Sequence, residues 1–589
     1  MTLDAWITLV VVVATIAALA RDAVQPAVGV FGATVVLLVV GVLEPARAFS
    51  GFSNPAPITV GALFVLARAV ETTGALEPLI ASVMGAGKSQ RGAVARIVAP
   101  TAAASAFLNN TPIVAMAAPQ VAEWADQRGL PASRFLMPVS YAAILGGVVT
   151  LIGTSTNLVV HGLMIERGMP GLGMFELSRV GLPIAVVGCG IITLLSIRLL
   201  PDRRAARDSF DQSIREFTMA MRVVAGGPMD GKTIEEGGLR HLESVFCVRV
   251  DRSGHVIAPV GPSEVLRGDD VLTFVGKVDQ IVDLQRRRGL VSTEEHHLDR
   301  LGDEGNTFYE AVIGPQSPLV GQTLRQAGFR KRYQAAVLAI HRAGQRMDAK
   351  LGDVPLRVGD TLLLLAETGW RQRWRESGDF LLVARLSDSP RAHNPKAVLV
   401  GVIALGLVVL ASTGILPILE ASLGAALLLI AVGALTPRQA RQAVDIDVLV
   451  VIAAAFGLGA AVADSGLGDV IADGILTVFS PLGALGALAG VLLATMLLTE
   501  LVTNNAAAVL AFPIAMSTAS ALGANPRGFA IAVALGASLS FLTPIGYQTN
   551  LMVYGLGGYR FSDYARLGVP INIVVIALAL LIIPLAWPF

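Results

Sequence analysis

The sequence predicts an all-α polytopic membrane protein, made of two inverted repeats around an α/β insert that we expect to be cytoplasmic. Three observations predict this fold class: an apolar composition, a series of helix-length apolar segments, and motifs that recur between the two ends of the chain. Of the 589 residues, 54% are hydrophobic and 15% charged, and 61 are glycine. Soluble domains are typically about one-quarter charged, because their surface must be solvated. The composition therefore favours helices that face lipid and pack closely through small residues.

The charge balance and the cysteine count exclude other classes of protein. The formal net charge is +1, so the chain has no basic surplus to neutralise nucleic-acid phosphates. Cys189 and Cys247 lie in different regions and form neither a disulfide framework nor a metal motif. We therefore expect no nucleic-acid partner and no cofactor.

Ten apolar segments reach, or nearly reach, the length of about 20 residues that a helix needs to cross a bilayer. They lie at about 4–20, 26–44, 56–73, 135–162 and 177–200, and at about 395–412, 417–436, 446–463, 528–556 and 567–588. Five spans on each side of the insert is an odd number, so the sequence predicts that the two halves have opposite topology in the membrane.

Two further apolar stretches, at about 92–122 and 485–520, are interrupted by polar residues. The interruptions are Asn109-Asn110-Thr111-Pro112 and Thr503-Asn504-Asn505-Ala506. Paired asparagines are costly in lipid unless they face protein or water. We therefore expect each stretch to form a re-entrant hairpin with the asparagines at its tip.

Motifs in the two halves match at nearly constant spacing. Asn109-Asn110 pairs with Asn504-Asn505 at an offset of 395 residues, and Gly153–Asn157 pairs with Gly546–Asn550 at an offset of 393. Inverted repeats with interrupted helices at equivalent positions place a binding site between the repeats, near the bilayer midplane. The predicted first repeat is residues 1–201 and the second is 395–589.

The region between the halves is charged and contains only strand-length apolar runs, which predicts a soluble insert. It repeats at an offset of 90 residues: Gly231 corresponds to Gly321, and Asp270 to Asp360. We predict two small α/β domains in tandem, at 202–298 and 299–394. Basic residues flank the insert on both sides, which predicts that it is cytoplasmic under the positive-inside rule. These residues are Arg198, Arg203, Arg204, Arg207, Arg391 and Lys396.

The hairpin tips offer amide side chains, hydroxyls and freed backbone N–H groups, which together suit an anion. The two motifs at 153–157 and 543–550 add unwound carbonyls and hydroxyls, the oxygen ligands that sodium requires. The alternative interpretation is that the tip asparagines only cap broken helices. Glu500 precedes the second tip and is either a proton-coupling carboxylate or, the reading we favour, the acceptor of a structural hydrogen bond.

Three segments carry a family resemblance: Phe107–Ala115, Gly147–Asn157 and Thr543–Asn550. They resemble the divalent anion:sodium symporter family of the ion transporter superfamily, and the insert resembles a tandem of TrkA C-terminal (RCK-C) domains. The resemblance implies that the tip residues bind substrate and that the tips and facing loops hold sodium. The implied substrate-binding residues are Asn109, Asn110, Thr111, Thr154, Ser155, Thr503, Asn504 and Asn505. The implied sodium ligands are Asn110, Gly153, Asn157, Asn505, Thr543, Gly546 and Asn550.

The sequence departs from the family at the tips, where the family carries Ser-Asn-Thr. Asparagine replaces serine at both tips, and Ala506 replaces the second threonine. These departures leave sulfate, or a related small anion, at least as favoured as a dicarboxylate.

The resemblance implies a secondary active transporter of the elevator type, which takes up a small divalent anion with sodium and is not an enzyme. It implies a homodimer in the cell inner membrane, with a nucleotide or another small effector bound at the RCK-C-like domains. Two alternatives remain open at this stage: an oxyanion exporter and an RCK-regulated cation transporter.

Overall fold

The computed structural model describes most of the chain. The described residues are 1–21, 24–75, 89–126, 128–202, 218–239, 245–252, 255–257, 260–276, 289–292, 306–314, 317–342, 345–347, 351–367, 369–374, 379–385 and 396–589. Of the basic residues used for orientation, Arg203, Arg204, Arg207 and Arg391 lie outside these ranges.

Both halves of the chain are helical. In the first half the helices are α1 (Leu3–Ala20), α2 (Pro26–Val39), α3 (Pro45–Ala48), α4 (Pro55–Thr73), α5 (Gln90–Ser105), α6 (Asn110–Asp126), α7 (Ser133–Gly147), α8 (Ser155–Glu166) and α9 (Ser178–Leu199). The described part of the insert contains two short helices, α10 (Phe329–Tyr333) and α11 (Trp370–Trp374). In the second half they are α12 (Ala397–Ser412), α13 (Ile418–Ala431), α14 (Pro437–Ala443), α15 (Ile446–Asp464), α16 (Leu467–Phe479), α17 (Gly483–Leu501), α18 (Asn504–Ala521), α19 (Pro526–Ser538), α20 (Gln548–Leu556) and α21 (Phe561–Ala586).

Helix starts follow local chemistry where the sequence supplies caps. The Asn54 side chain accepts a hydrogen bond from the Ala56 N–H, and Pro55 occupies the first position of α4. Proline is favoured there because the first N–H of a helix has no partner within the helix. At the start of α14, Thr436 and Gln439 form a reciprocal capping box.

Among the described residues, five helices are long and apolar enough to cross a membrane: α4, α9, α15, α17 and α21. Four shorter apolar helices accompany them, namely α1, α2, α12 and α13. In the most apolar 18-residue stretch of α21, only 22% is buried against protein, so this helix presents most of its surface outward. These features are those of a multi-pass membrane protein, as the sequence predicts.

Two of the predicted spans are not continuous helices. The segment at 135–162 divides into α7 and α8, and the segment at 528–556 divides into α19 and α20. The breaks fall at residues 148–154 and 539–547, and each runs into the first two residues of a motif that matches between the halves. In addition, α17 is long enough to cross a membrane by itself, although the sequence predicts it as one arm of a re-entrant hairpin. The re-entrant geometry therefore stays a prediction.

Helix packing is paired between the halves. Helix α2 packs on α15 and α13 packs on α4, while α5 packs on α7 and α17 packs on α19. Helix α6 contacts α20, and α18 contacts α8. The first helix after each tip therefore lies against the second helix of the other half's broken pair.

Glycine permits the closest of these approaches. A β-carbon at Gly181 of α9 would lie 2.2 Å from the Val148 carbonyl oxygen, and one at Gly568 of α21 would lie 2.1 Å from that of Phe541. Both carbonyls belong to the breaks, so each glycine allows a long helix to approach a broken pair closely.

The insert contains two five-stranded antiparallel sheets. The strands of the first sheet are β1 (Thr218–Val223), β2 (Val245–Arg252), β3 (His255–Ile257), β4 (Val271–Gly276) and β5 (Leu290–Ser292). Those of the second are β6 (Asn306–Ile313), β7 (Ala335–Arg342), β8 (Gln345–Arg346), β9 (Thr361–Glu367) and β10 (Phe380–Arg385). The orders are β3-β2-β4-β1-β5 and, read in the same sense, β8-β7-β9-β6-β10. The two sheets therefore have the same strand order.

Side-chain contacts recur between the two sheets at the offset of 90. Arg252 donates to both carboxylate oxygens of Asp270, at 3.0 and 2.8 Å, and Arg342 does the same to Asp360, at 2.8 and 2.7 Å. Each sheet has its own apolar core. Arg330 of α10 donates to the Val260 carbonyl, which links the second unit to the first.

The second sheet touches the membrane half of the molecule at α20. Val312 of β6 belongs to the large apolar core of the helical region. A β-carbon at Gly359 would lie 3.3 Å from Leu551 Cδ1, and one at Gly555 would lie 2.3 Å from Thr361 Oγ1. The turn before β9 therefore packs directly on α20.

Candidate functional site

The two predicted hairpin tips each end at an asparagine that begins a helix. Asn110 is the first residue of α6 and Asn504 is the first residue of α18. Each lies five residues after a hydroxyl side chain that it contacts: Ser105 Oγ is 2.6 Å from the Asn110 amide, and Thr499 Oγ1 donates to Asn504 Oδ1 at 3.0 Å. The asparagine side chains therefore bind groups beyond their own helix, which does not fit the interpretation that they only cap it.

Asn110 links the first tip to both halves of the molecule. Its amide nitrogen donates to the carbonyl oxygens of Ala143, at 3.1 Å, and Gly153, at 3.2 Å. Its amide oxygen accepts a hydrogen bond from the Tyr547 hydroxyl at 2.5 Å. The side chain is almost completely buried. The first tip is thereby fixed to the first break and to the start of α20.

The second tip is fixed to the opposite half in a similar way. Ser155 Oγ donates to Asn505 Oδ1 at 3.1 Å, and Thr156 Oγ1 lies 3.4 Å from the same oxygen. Thr111 of the first tip donates to Gln548 Oε1 at 3.3 Å. Each tip therefore contacts the first turn of the broken helix that belongs to the other half.

Four helix N-termini meet at this place: those of α6, α18, α8 and α20. Hydrogen bonds of Asn110 and Thr111 join α6 to the start of α20, and Ser155 joins α8 to Asn505 of α18. The Thr154 and Tyr547 hydroxyls, 3.2 Å apart, join the two pairs. The free N–H groups of a helix N-terminus carry a partial positive charge of about half an elementary charge. Several helix N-termini close together can stabilise an anion without any lysine or arginine.

The two breaks are held by equivalent asparagines. Asn157 Nδ2 donates to the carbonyls of Gly147 and Thr150, at 3.1 and 2.8 Å. Asn550 Nδ2 donates to the carbonyls of Ser540 and Thr543, at 3.2 and 3.1 Å. In both cases the acceptors lie ten and seven residues earlier in the chain. These bonds satisfy carbonyls that the interrupted helices leave without a helical partner.

Several buried oxygens at the site lack a hydrogen-bond partner within the described part of the chain. They are Asn157 Oδ1, Thr503 Oγ1 and Ser540 Oγ. A buried polar oxygen without a hydrogen-bond partner lowers the stability of the fold by about 1–3 kcal/mol. We therefore expect each of these oxygens to have a functional role. Hydroxyl and amide oxygens are suitable ligands for a hard cation such as sodium.

Glu500 lies at the second break. Its carboxylate accepts hydrogen bonds from the Leu542 N–H at 3.0 Å and from Thr543 Oγ1 at 2.7 Å. Thr543 Oγ1 in turn accepts from the Gly546 N–H at 2.9 Å. This geometry fits the structural hydrogen bond that the sequence favours, and it places a carboxylate next to two predicted sodium ligands.

The structure brings nearly all predicted site residues together, but Asn109 stands apart. Its half-buried side chain makes no hydrogen bond to another described residue. Four residues at the site are absent from the predicted set: Ser140, Ser540, Tyr547 and Gln548. Ser140 Oγ donates to Asn550 Oδ1 at 2.7 Å. Tyr547 and Gln548 lie inside the matched motif Gly546–Asn550, so the sequence repeat contains the signal for both.

Comparison with known proteins agrees with this geometry. The family model of citrate transporters (CitMHS) matches residues 9–534. A Chlamydomonas reinhardtii protein named for the sulfur deprivation response is 35% identical over 96% of this chain and 98% of its own length. An uncharacterized transporter of a Synechocystis strain is 34% identical over 92% of this chain and 90% of its own length. Sodium/sulfate cotransporter 1 of C. reinhardtii is 26% identical over 91% of this chain and 84% of its own length.

These matches confirm the predicted resemblance and the prediction that the chain is not an enzyme, since the family and the relatives named by activity are transporters. The chain therefore belongs to the citrate transporter family, within the ion transporter superfamily that contains the divalent anion:sodium symporters.

Proposed function

We propose that the protein is a secondary active transporter that takes up a small divalent anion, sulfate or a dicarboxylate, together with sodium. The observation that carries this proposal is the meeting of four helix N-termini at tips lined by amides and hydroxyls. Such a site attracts a dianion through backbone dipoles and releases it more readily than fixed cations would. The names of the sodium/sulfate cotransporters to which the chain is similar support sulfate and sodium among these ions.

Sodium is proposed as the coupling ion because oxygen ligands flank the anion site. Asn157 Oδ1, in the first turn of α8, and Ser540 Oγ, in the second break, are buried without a partner among the described residues. A cation bound at either position would lie close to the anion and lower the cost of removing both charges from water. Sodium binding at the breaks would therefore strengthen anion binding at the tips.

Two inverted repeats and an elevator movement are the proposed architecture and mechanism. Apart from α16, the order of helices in 397–586 parallels the order of the described helices in 3–199, and the packing partners correspond. In the proposed movement the tips with the four broken helices α7, α8, α19 and α20 carry the bound ions across. The remaining spans form the scaffold, and we propose that two copies pair through it as a homodimer in the cell inner membrane.

The insert is proposed to be cytoplasmic and to regulate transport through two RCK-C-like domains, 202–298 and 299–394. The contact of Gly359 and Thr361 with α20 supports this role, because α20 begins at the anion site. A nucleotide or another small effector that shifts the second sheet would thereby shift one wall of the site. Ligand-induced shifts of this kind require only that the effector bind one conformation more tightly than the other.

The proposal is tested by uptake of labelled sulfate into proteoliposomes, with an inward sodium gradient or with none. We expect sodium-dependent accumulation that is absent from empty liposomes. Labelled succinate is tested in parallel, because it separates the sulfate and dicarboxylate branches.

Other outcomes favour the alternatives. Ion flux that needs no anion would favour an RCK-regulated cation transporter. Resistance of expressing cells to a toxic oxyanion, without uptake of sulfate or succinate, would favour an oxyanion exporter.

A further inference from the structure

The two breaks have similar backbone angles at one position but carry different side chains there. Thr154 precedes α8 and Tyr547 precedes α20, and both adopt extended backbone angles, with φ of −143° in each case and ψ of 148° and 136°. Each follows a glycine and lies three residues before the asparagine that holds its break. The halves therefore present a small side chain and a large one at equivalent places in one site.

The Tyr547 ring spans the space between the two halves. The hydroxyl donates to Asn110 Oδ1 at 2.5 Å and lies 3.2 Å from Thr154 Oγ1, its counterpart in the other break. Asn504 of the second tip interacts with the same hydroxyl. Only 7% of the residue is exposed, so the ring occupies space between the tips that a threonine would leave open.

The hydrogen bonds fix the direction of the phenolic proton. A tyrosine hydroxyl has one proton to donate, and here it donates a hydrogen bond to the Asn110 amide oxygen. The Thr154 hydroxyl must then donate to Tyr547 in return. Tyr547 therefore holds the two tips and the first break at a fixed short separation, in addition to filling volume.

We infer that Tyr547 sets the upper size limit of the transported anion, so that the site takes a compact tetrahedral dianion such as sulfate and rejects a four-carbon dicarboxylate. The inference rests on the proposed function and specifies its substrate class. A compact dianion can approach all four helix N-termini at once, with its oxygens distributed over a small sphere. The two carboxylates of a succinate-sized dianion lie further apart than the oxygens of sulfate. To reach the same helix N-termini, such a dianion would need the space that the Tyr547 ring occupies. Rejection by an occupying side chain is a common source of specificity.

We expect Tyr547 to discriminate strongly between sulfate and dicarboxylates. One methylene of misfit in a binding pocket changes selectivity by roughly 10- to 200-fold. Replacing the ring by the threonine of the other half removes more volume than one methylene. We therefore expect Tyr547→Thr to shift selectivity towards dicarboxylates by at least tenfold.

The test is competition of malonate, succinate and glutarate with labelled sulfate, measured as the inhibition constant of each acid divided by the KM for sulfate. In the wild type we expect weak inhibition that declines with length. In Tyr547→Thr we expect the succinate ratio to fall by at least tenfold. Tyr547→Phe is the matched control: it keeps the ring and should keep the wild-type ratios, while sulfate affinity falls a few-fold because Asn110 loses a hydrogen bond.

The outcomes separate this inference from the proposed function. Wild-type protein that transports sulfate but is inhibited equally by succinate would overturn the inference and leave the function standing. Unchanged ratios in an active Tyr547→Thr variant would also overturn it. If that variant proves inactive, ligand-induced thermal stabilisation of the purified Tyr547→Thr and Tyr547→Leu proteins gives the same comparison. Stabilisation by succinate in either variant, but not in the wild type, supports the inference; its absence from both overturns it.

Discussion

The two halves of the site share one frame and differ in the groups placed on it. Asn157 and Asn550 bind carbonyls at the same two spacings, and Gly181 and Gly568 allow the same close approach of a long helix. The difference begins with a threonine at an equivalent position in each break, Thr150 in the first and Thr543 in the second. Thr150 donates to the backbone carbonyl of Ala106, whereas Thr543 donates to the carboxylate of Glu500. A neutral acceptor in the first half is thus replaced by a charged one in the second.

The same contrast recurs at the glycine before each broken helix. A β-carbon at Gly153 would meet the backbone oxygens of Gly147 and Ser105, while one at Gly546 would meet Ser540 Oγ and Glu500 Oε2. At this position the first break presents main-chain oxygens, and the second presents a hydroxyl oxygen and a carboxylate oxygen. The comparison teaches that the two halves give the site the same shape while the second half supplies the carboxylate and the tyrosine that make it asymmetric.

The largest expected effect tests whether both halves form one site. Asn110→Ala and Asn505→Ala should each reduce sulfate uptake to background, because each removes an amide that joins its tip to the opposite half. Uptake per molecule of folded, membrane-inserted protein is the measurement. Asn525→Ala is a matched control: this asparagine caps α19 at the surface, so the change should cost about 1 kcal/mol of stability and leave uptake intact. Near-normal uptake by both tip variants would contradict a shared site.

The next effect tests the charge asymmetry. Glu500→Gln keeps an acceptor for Thr543 but removes the formal charge beside the second break. We expect the sodium concentration for half-maximal uptake to rise about tenfold, or ~1.4 kcal/mol. This is well below the ~4 kcal/mol attraction of unit charges 4 Å apart at an effective dielectric constant of 20.

A matched control for Glu500 is Glu176→Gln, which breaks an ion pair with Arg527 away from the breaks. It should lower the melting temperature and leave the sodium dependence unchanged. Equal sodium dependence in the wild type and Glu500→Gln would show that the two breaks are electrostatically alike.

The next prediction has a smaller expected effect and tests whether Asn157 and Asn550 hold the two breaks in the same way. Asn157→Ala and Asn550→Ala each free two carbonyls in a buried break, so each should lower the free energy of unfolding by about 1–3 kcal/mol. Thermal unfolding of the purified proteins in detergent gives the comparison. We expect similar losses in both; a neutral change in one would show that its break is held by other contacts.

The smallest expected effect concerns the insert. In Gly555→Ala the new methyl group would meet Thr361, so the second sheet must shift on α20. We expect sulfate uptake to change two- to fivefold while sulfate affinity remains within twofold. Gly190→Ala on α9, where a methyl group meets no atom within 4 Å, should have no effect. Identical behaviour of the two variants would separate the insert from transport.

Much of this arrangement could be predicted from the sequence. The tip asparagines, the two motifs at 153–157 and 546–550 and the repeat in the insert are local patterns, and the structure places them as matching elements. The sequence pairs Asn109-Asn110 with Asn504-Asn505 at an offset of 395, which differs by one residue from the register of the helices in the structure. In the structure Asn110 and Asn504 both begin helices and both contact a hydroxyl five residues earlier, an offset of 394.

The contacts across the halves could not be predicted. The bonds of Tyr547 to Asn110 and of Asn505 to Ser155 join residues more than 300 positions apart. Such contacts depend on how α6 lies on α20 and α18 on α8, and no local pattern specifies that packing. The same holds for Glu500, whose carboxylate meets Thr543 only because α17 lies beside the second break.

The most direct test of the central claim is equilibrium binding of labelled sulfate to the purified protein at increasing sodium concentration. One site formed by both halves predicts one sulfate bound per chain, tighter binding as sodium rises, and loss of binding in Asn110→Ala and in Asn505→Ala alike. Two sulfates per chain, or binding that survives loss of either tip, would contradict a single site shared between the halves.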